Sequence, residues 1–197
     1  MSKEFNHNEL DKLLNLLEDS NPTSELSTEE INQIMSEFKL TDEETEVLFD
    51  RILKGDKEAK EKIIGAHQVL ISATIEKYLE TIADIKKTFD ISELGMNYEK
   101  LMCAGNIGLD KAIDKFDYSK GYNFSIYSFW WIHEAIHRGI ADNFNISVHM
   151  LENIYLVSRY ANLSKKEIAD KLDMPIETVK KIFDTIQDIQ CKRQGKK

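Results

Sequence analysis

The sequence predicts an all-α protein, and three observations carry that expectation. Leu, Ile, Glu, Lys and Asp dominate the composition, while 197 residues contain only two Pro and eight Gly, a balance that favours helix. Apolar residues recur at helical spacing along most of the chain. Several of these runs are preceded by a Ser or Thr with Glu three residues later, the signature of a helix N-terminus. With 42% hydrophobic residues the chain can bury a core rather than remain disordered.

Taken in order, Leu10, Leu13, Leu14 and Leu17 mark one face of a first helix over residues 8–18, which Asn21-Pro22 ends. Ser27 with Glu30 forms a capping box before Ile31, Ile34, Met35 and Phe38. Thr41 with Glu44 repeats it before Val47, Leu48, Ile52 and Leu53. After the turn at Lys54-Gly55, Asp56 is a fitting N-cap for one long helix through Ile63, Ile64, Leu70, Ile71, Ile75 and Tyr78. Residues 80–96 lose this regularity and read as a surface loop with a helical turn. Asn97 caps a helix over 97–114, in which Gly105 and Gly108 suggest close packing or a kink.

Lys120-Gly121 closes that unit, a helix follows over 124–142, and Asn143–Ser147 links it to another from about Val148. Ser164 with Glu167 caps a short helix. Asp173-Met174-Pro175 then turns into a final one bearing Ile176, Val179 and Ile182, a helix-turn-helix spacing. The organisation expected is an acidic helical segment (1–50), a central helical domain (51–147) and a small three-helix domain (148–197).

Composition also excludes function classes. Two cysteines, Cys103 and Cys191, are too few for a disulfide framework or a zinc-finger pattern. The polar start and the lack of a long apolar run predict a soluble cytoplasmic protein with no membrane partner. There is no Walker loop, nucleophile elbow or ligand cluster, so neither catalysis nor a cofactor is expected. His133 and His137 stand four apart but lack further ligands at suitable offsets except Glu134, which argues against a metal site. Residues 1–55 hold 14 Asp/Glu against 5 Lys/Arg and account for the whole net charge of −9. The rest is neutral, so phosphate neutralisation alone cannot give tight duplex binding; if the protein works on DNA, much of the affinity must come from a partner.

Chemistry concentrates in residues 116–131, where eight of sixteen residues are aromatic, against 9% overall, and which hold both tryptophans. On a helix, Tyr127, Trp130, Trp131 and Glu134 share one face, while Ile126, Phe129, Ile136 and Ile140 lie on the other. Pattern alone reads first as core packing. The alternative is a face that stacks on unpaired bases. Lys111, Lys115, Lys120 and Arg138 flank the rings as a backbone-tracking surface requires, and the polar ends of Glu134 and His137 favour a wet groove over a core.

These residues carry a resemblance. Asn106-Ile107-Gly108-Leu109, Lys111–Tyr118, Gly121–Tyr127, Trp130-Trp131-Ile132, Ile140-Ala141-Asp142 and Val148-His149-Met150, in that order, resemble the primary-type (sigma-70-type) bacterial sigma factors, and the colinear match spans about residues 51–190. The resemblance implies a domain 2-like bundle followed by a domain 3-like helical unit. It implies binding of the RNA polymerase core by helix 97–114 on the clamp coiled coil, with Lys100, Leu101, Cys103, Ala104 and Asn106 at the matching positions. It further implies that Tyr122, Phe124 and Tyr127 hold the non-template strand of the promoter minus-ten element, Tyr127 stacking on a flipped adenine. Trp130 and Trp131 would wedge at the upstream edge of the bubble. Glu134 and His137 would read the upstream base pair, and His149 and Glu152 would touch an extended minus-ten element.

The sequence departs from the family in several places. Lys100, Cys103 and Ala104 replace an acidic residue, Gln and Glu, which puts ordinary core binding in question. Glu134 and His137 replace Gln and Thr, and a Glu acceptor favours a cytosine amino group. The segment between Asp142 and Val148 is about three residues short and lacks the usual basic residues. The finger and the minus-thirty-five-reading C-terminal domain of the family are not matched, so a DNA-tethering partner or an anti-sigma factor is a further expectation.

The function expected is thus promoter recognition and melting together with core polymerase. The rivals are a sigma-like regulator that binds polymerase or another transcription factor without supporting initiation, and a helix-turn-helix repressor using residues 164–190. Lys180 and Lys181 on the last helix, and the tail Lys192, Arg193, Lys196 and Lys197, read as structural or phosphate-touching. The acidic N-terminal segment is either a solvated helical pair or a DNA mimic shielding the aromatic face.

Overall fold

Short polar caps and turns divide the chain into helices, each burying one apolar stripe in a shared interior. The computed structural model describes residues 26–36, 40–89 and 97–194; for Asp42 and residues 192–194 the description is confined to the backbone. The expected helix over 8–18 and the cationic tail side chains lie outside it. The described residues form α1 (Thr28–Ser36), α2 (Asp42–Leu53), α3 (Lys57–Ala66), α4 (Gln68–Phe89), α5 (Tyr98–Lys115), a 3₁₀ turn (Tyr118–Lys120), α6 (Phe124–Phe144), α7 (Val148–Ser158), α8 (Lys165–Lys171) and α9 (Ile176–Gln194). Strands are absent among them, and none of these helices is long and apolar enough to cross a membrane.

The predicted caps form. Ser27 and Glu30, Thr41 and Glu44, and Ser164 and Glu167 bond reciprocally, each satisfying backbone N–H groups that a helix start leaves open. Asp56, Asn97 and Ser147 cap α3, α5 and α7 with side-chain oxygens. Gly121, at φ +72°, and Asn145, at φ +54°, supply the left-handed turns on either side of α6.

Two expectations about the first half need correction. The long helix expected from Asp56 through Tyr78 is broken at His67. Its buried ring donates from Nδ1 to the Ile63 carbonyl at 2.8 Å and accepts at Nε2 from Ser125 Oγ at 3.3 Å, so a side chain takes over bonding at the break. Residues 80–89, read as loop, continue α4. Ile82, Ile85 and Phe89 extend the stripe begun by Tyr78, and charged residues between them hide the period.

α5 and α6 form an antiparallel hairpin at close range. A Cβ on Gly108 would stand 2.3 Å from the Trp131 carbonyl oxygen, and one on Gly105 would stand 2.5 Å from Ile71 Cγ2. These glycines serve close packing rather than a kink. α4 runs alongside α6 in the same direction. His67 meets Phe124 and Ser125 at one end, Tyr78 meets His133 midway, and Ile82 and Ile85 share an apolar crevice with Phe144 further along.

α7, α8 and α9 pack on the far end of this framework. Tyr155 stacks on His137, Phe183 meets Phe89 edge to face at 5.9 Å, and the Gln190 amide donates to the Phe89 carbonyl. The apolar core therefore runs without interruption from Leu26 to Ile186.

Candidate nucleic-acid interface

The aromatic run divides into a buried half and an accessible half. Phe49 on α2, Phe116 after α5 and Phe124 at the start of α6 form a triangle of rings with centroids 4.8–4.9 Å apart. Phe124 and Phe49 are buried, and Phe116 is half-buried. Tyr127 rests on the outer edge of this triangle, 5.2 Å from Phe116 and 6.4 Å from Trp131. Partial burial raises the Tyr127 phenol above its ordinary value, and a hydrogen bond with the Trp131 side chain opposes the shift. Lys115 Nζ stands 5.4 Å from the centroid of the Trp131 indole, within cation–π range.

One turn on, Trp130 is half-buried, and Arg138 donates to Glu134 at 2.5 Å along the exposed edge of α6. Of the residues predicted to bind DNA, Tyr127, Trp131, Glu134, Arg138 and Lys115 thus share one side of the hairpin, while the Trp130 ring lies against His133, with its Nε1 buried. Lys111 and Lys120 are exposed toward its turn end, Lys120 standing 3.7 Å from Asp117, and Tyr122 is half-buried beside the turn. His149 and Glu152 lie exposed on α7, with His149 Nδ1 3.4 Å from the Glu152 carboxylate.

Three predicted side chains do not present themselves to a ligand. Phe124, expected to hold the non-template strand, is 3% exposed and packs in the ring triangle. His137, expected to prefer a wet groove, is 5% exposed, stacked 10° from parallel with the Tyr155 ring. Burial holds the His137 imidazole below its usual range, against the nearby carboxylates of Glu152 and Glu134. Leu101, expected on the polymerase-binding face, is also buried, turned toward Gly139. In each case an apolar neighbouring helix takes up the side chain.

The remaining residues predicted for polymerase binding lie along α5. Lys100 and Cys103 are exposed, and Ala104 is half-buried against Gly139. Asn106 is held in place: Gln68 Nε2 donates to its Oδ1 at 2.7 Å, and its own Nδ2 donates to the Met102 carbonyl at 2.8 Å.

Several contributors escaped the sequence reading. Ile107, 57% exposed, stands on the α5 surface between Cys103 and Lys111, and its apolar exposure is invisible until the packing is known. Phe116 supports Tyr127, and Tyr118 donates to Asp50 at 2.7 Å, tying the turn to α2. His133, a discarded metal candidate, is hydrogen-bonded through Nε2 to Tyr78.

Residues 75–143, from midway along α4 nearly to the end of α6, match the family model of Sigma-70 region 2. The chain is similar to the RNA polymerase sigma factor SigA of Clostridium acetobutylicum, 34% identical in an alignment that covers 76% of this chain and 39% of the relative. It is similar also to SigA of Listeria monocytogenes, 35% identical over 76% of the chain and 40% of the relative. With SigA of Synechocystis the identity is 31% over 85% of the chain and 38% of the relative. The chain thus spans about two fifths of the length of these relatives. The rings and cations gathered on the α5–α6 hairpin fall within this match, and residues 75–143 belong to the Sigma-70 region 2 family.

Proposed function

We propose that this chain is a sigma-like transcription initiation factor that binds the RNA polymerase core and recognises and melts the promoter minus-ten element. The observation that carries the reading is the partly open Tyr127–Trp131 pair, backed by the Phe49–Phe116–Phe124 triangle and overlain by Lys115. Opening a duplex costs a few kcal/mol for each unstacked step. A protein that opens it must offer substitute stacking, worth about 1–3 kcal/mol per base on an aromatic ring. Rings held rigid by a core, with an ammonium beside them for phosphate, meet that requirement.

In this reading Tyr127 stacks on an unpaired base and Tyr122 lies along the same strand. Phe124 acts from below by fixing the shelf on which Tyr127 rests. Trp130 and Trp131 mark the upstream edge. The Glu134 carboxylate, oriented by Arg138, accepts from a cytosine amino group at the upstream base pair. Lys111, Lys115 and Lys120 track phosphates, and His149 with Glu152 extends the surface upstream. Polymerase docks on the exposed stripe of Lys100, Cys103 and Ile107. The protein's contribution is binding and strand separation, without chemistry of its own.

The second reading, a sigma-like regulator that does not support initiation, draws on one feature. Lys100 and Cys103 are solvent-facing where the family carries acidic and amide side chains, so a partner other than core polymerase would fit the stripe. In vitro transcription with purified core enzyme on A/T-rich, extended minus-ten templates separates the two. Transcripts that vanish with Trp130→Ala or Tyr127→Ala support initiation. Core binding without any transcript supports the regulator.

A further inference from the structure

At the break between α3 and α4, two adjacent side chains turn to different helices. His67 meets Ser125 of α6, and Gln68, the first residue of α4, meets Asn106 of α5. Gln68 Nε2 donates twice, to Asn106 Oδ1 at 2.7 Å and back to the Ile64 carbonyl of α3 at 3.1 Å. Asn106 Nδ2 donates to the Met102 carbonyl at 2.8 Å and makes a longer contact, 3.5 Å, with Gln68 Oε1.

A primary amide has a donor end and an acceptor end of similar size, so it can turn over unless its partners forbid it. Here a backbone carbonyl, which only accepts, stands beside each amide. The Ile64 carbonyl requires the Gln68 nitrogen, and the Met102 carbonyl requires the Asn106 nitrogen. The Asn106 oxygen then faces the Gln68 nitrogen, so the two orientations agree. Turning Asn106 over would set nitrogen against nitrogen across the helices and oxygen against the Met102 carbonyl. Met102 belongs to the same helix as Asn106, and Gln68 supplies a tie from outside it.

Two features distinguish this tie from a brace of the fold. The contact between α4 and α5 is already made one residue away, where Ile71 packs against Gly105. Both amides are half-buried rather than sealed in the core. Asn106 stands next to the exposed Ile107 on α5, with Cys103 also exposed one turn earlier. A second lone pair on Asn106 Oδ1 and the loosely engaged Nδ2 hydrogen therefore remain for a partner seated on Ile107, at a place fixed beforehand.

We propose that Gln68 is a positioning residue for polymerase docking, pinning the Asn106 amide in one orientation at the edge of the α5 stripe, where a polar group of the core enzyme meets it. The pin stands on the hydrogen bonds alone; its purpose rests on the docking reading of α5. A side chain ordered before it binds spares the interface the entropy of ordering it.

The full chain carrying Gln68→Met, Asn106→Ala or both is titrated against purified core enzyme. Methionine keeps the length of glutamine without its amide, and the Ile64 carbonyl still accepts from the His67 N–H at 3.2 Å. Gln68→Met is expected to weaken core binding by about fivefold, the scale of one side chain left to be ordered. Asn106→Ala weakens it at least as much, and the double variant no further, because Gln68 acts only through Asn106. Losses that multiply in the double variant overturn the positioning role, as does full core affinity in Gln68→Met beside a loss in Asn106→Ala. The pin itself is read without polymerase, from side-chain amide relaxation in protein carrying isotope-labelled asparagine. The Asn106 resonance, identified by its disappearance in Asn106→Ala, is rigid in the parent and mobile in Gln68→Met. Unchanged relaxation overturns the pin. Core affinity unaltered in Asn106→Ala overturns the purpose of the pin and counts against docking at this edge of α5, while relaxation still decides whether Gln68 holds Asn106.

Discussion

The Tyr78 hydroxyl and His133 Nε2 are hydrogen-bonded at 2.6 Å, fully buried between α4 and α6. A pair of polar groups in that position joins the two helices at one register, because sliding either would leave both groups unsatisfied away from water. Tyr78→Phe removes the hydroxyl and keeps the ring, so it isolates the bond from the packing. The expected loss is about 1–3 kcal/mol, the range for stranding a buried partner. Urea denaturation should show a lower midpoint with an unchanged slope; a midpoint equal to the parent's would mean that the pair contributes nothing.

Acid should destabilise this fold through its buried imidazoles. Burial pushes His67 down to about 4, against the bond it donates to Ile63. Burial, and then the neighbouring His137, pushes His133 down to about 3. In the unfolded chain each takes up a proton near pH 6.5. Between that value and the folded one the unfolded state binds more protons, so stability present at neutral pH is lost as the pH falls from about 6.5 toward 4. Melting temperatures measured from pH 7.5 to 4.5 should drop steeply below 6.5. The drop should be shallower in His67→Gln, which removes one such group, and an equal slope in that variant would contradict the assignment.

Much of this architecture is legible in the sequence because local chemistry announces it. Ser27, Thr41 and Ser164 start helices by hydrogen bonds that reach only three residues, so reading four residues suffices. The break at His67 is not legible that way, since its ring is held by Ser125 from a distant helix. The continuation of α4 to Phe89 depends on α7 and α9 covering Ile82 and Ile85, which no local pattern reveals. The site divides in the same manner. The density of rings and flanking lysines marked the hairpin, whereas the orientation of each ring is a tertiary fact.

Phe124 and Tyr127 show why that orientation matters, being three residues apart on α6 and alike in the sequence. Phe124→Ala empties the centre of the ring triangle and should cost about 3–5 kcal/mol in stability, as large aromatic truncations in cores do. Tyr127→Ala removes a ring that is already half in solvent and should cost much less. Paired measurements of unfolding and of promoter opening, by permanganate reactivity of unpaired thymines with core polymerase present, distinguish the two. Opening should fail in Tyr127→Ala while its fold persists. A Tyr127→Ala protein as unstable as Phe124→Ala would make Tyr127 a core residue.

Gly108 tests the hairpin that carries the rings. A methyl at this position would meet the Trp131 carbonyl oxygen at 2.3 Å, and backbone cannot rotate aside as a side chain can. Gly108→Ala should therefore separate α5 from α6 locally and cost about 3 kcal/mol, at the upper end for overpacking. The helix propensity gained from alanine, about 1 kcal/mol, offsets only part of this. At Gly65, where a Cβ meets nothing within 4 Å, the same substitution should stabilise. Comparing the two melting temperatures checks the contrast, and a stabilised Gly108→Ala would show that the close approach is not tight.

Lys115 has two possible partners, and salt separates them. In the free protein its ammonium lies 5.4 Å from the centre of the Trp131 ring, a contact worth about 0.5–1 kcal/mol at an exposed site. A phosphate brought to the hairpin offers a stronger, screened attraction, with release of condensed counterions. Lys115→Gln should then weaken binding of a single-stranded oligonucleotide and reduce the magnitude of the slope of log affinity against log salt by about 0.7, one single-strand phosphate contact. The same variant should change tryptophan emission in the absence of DNA, because Trp131 loses the cation over its face. A change in emission with an unaltered salt slope would confine Lys115 to holding Trp131. The reverse would mean that the ring contact is incidental and that the lysine serves the strand alone.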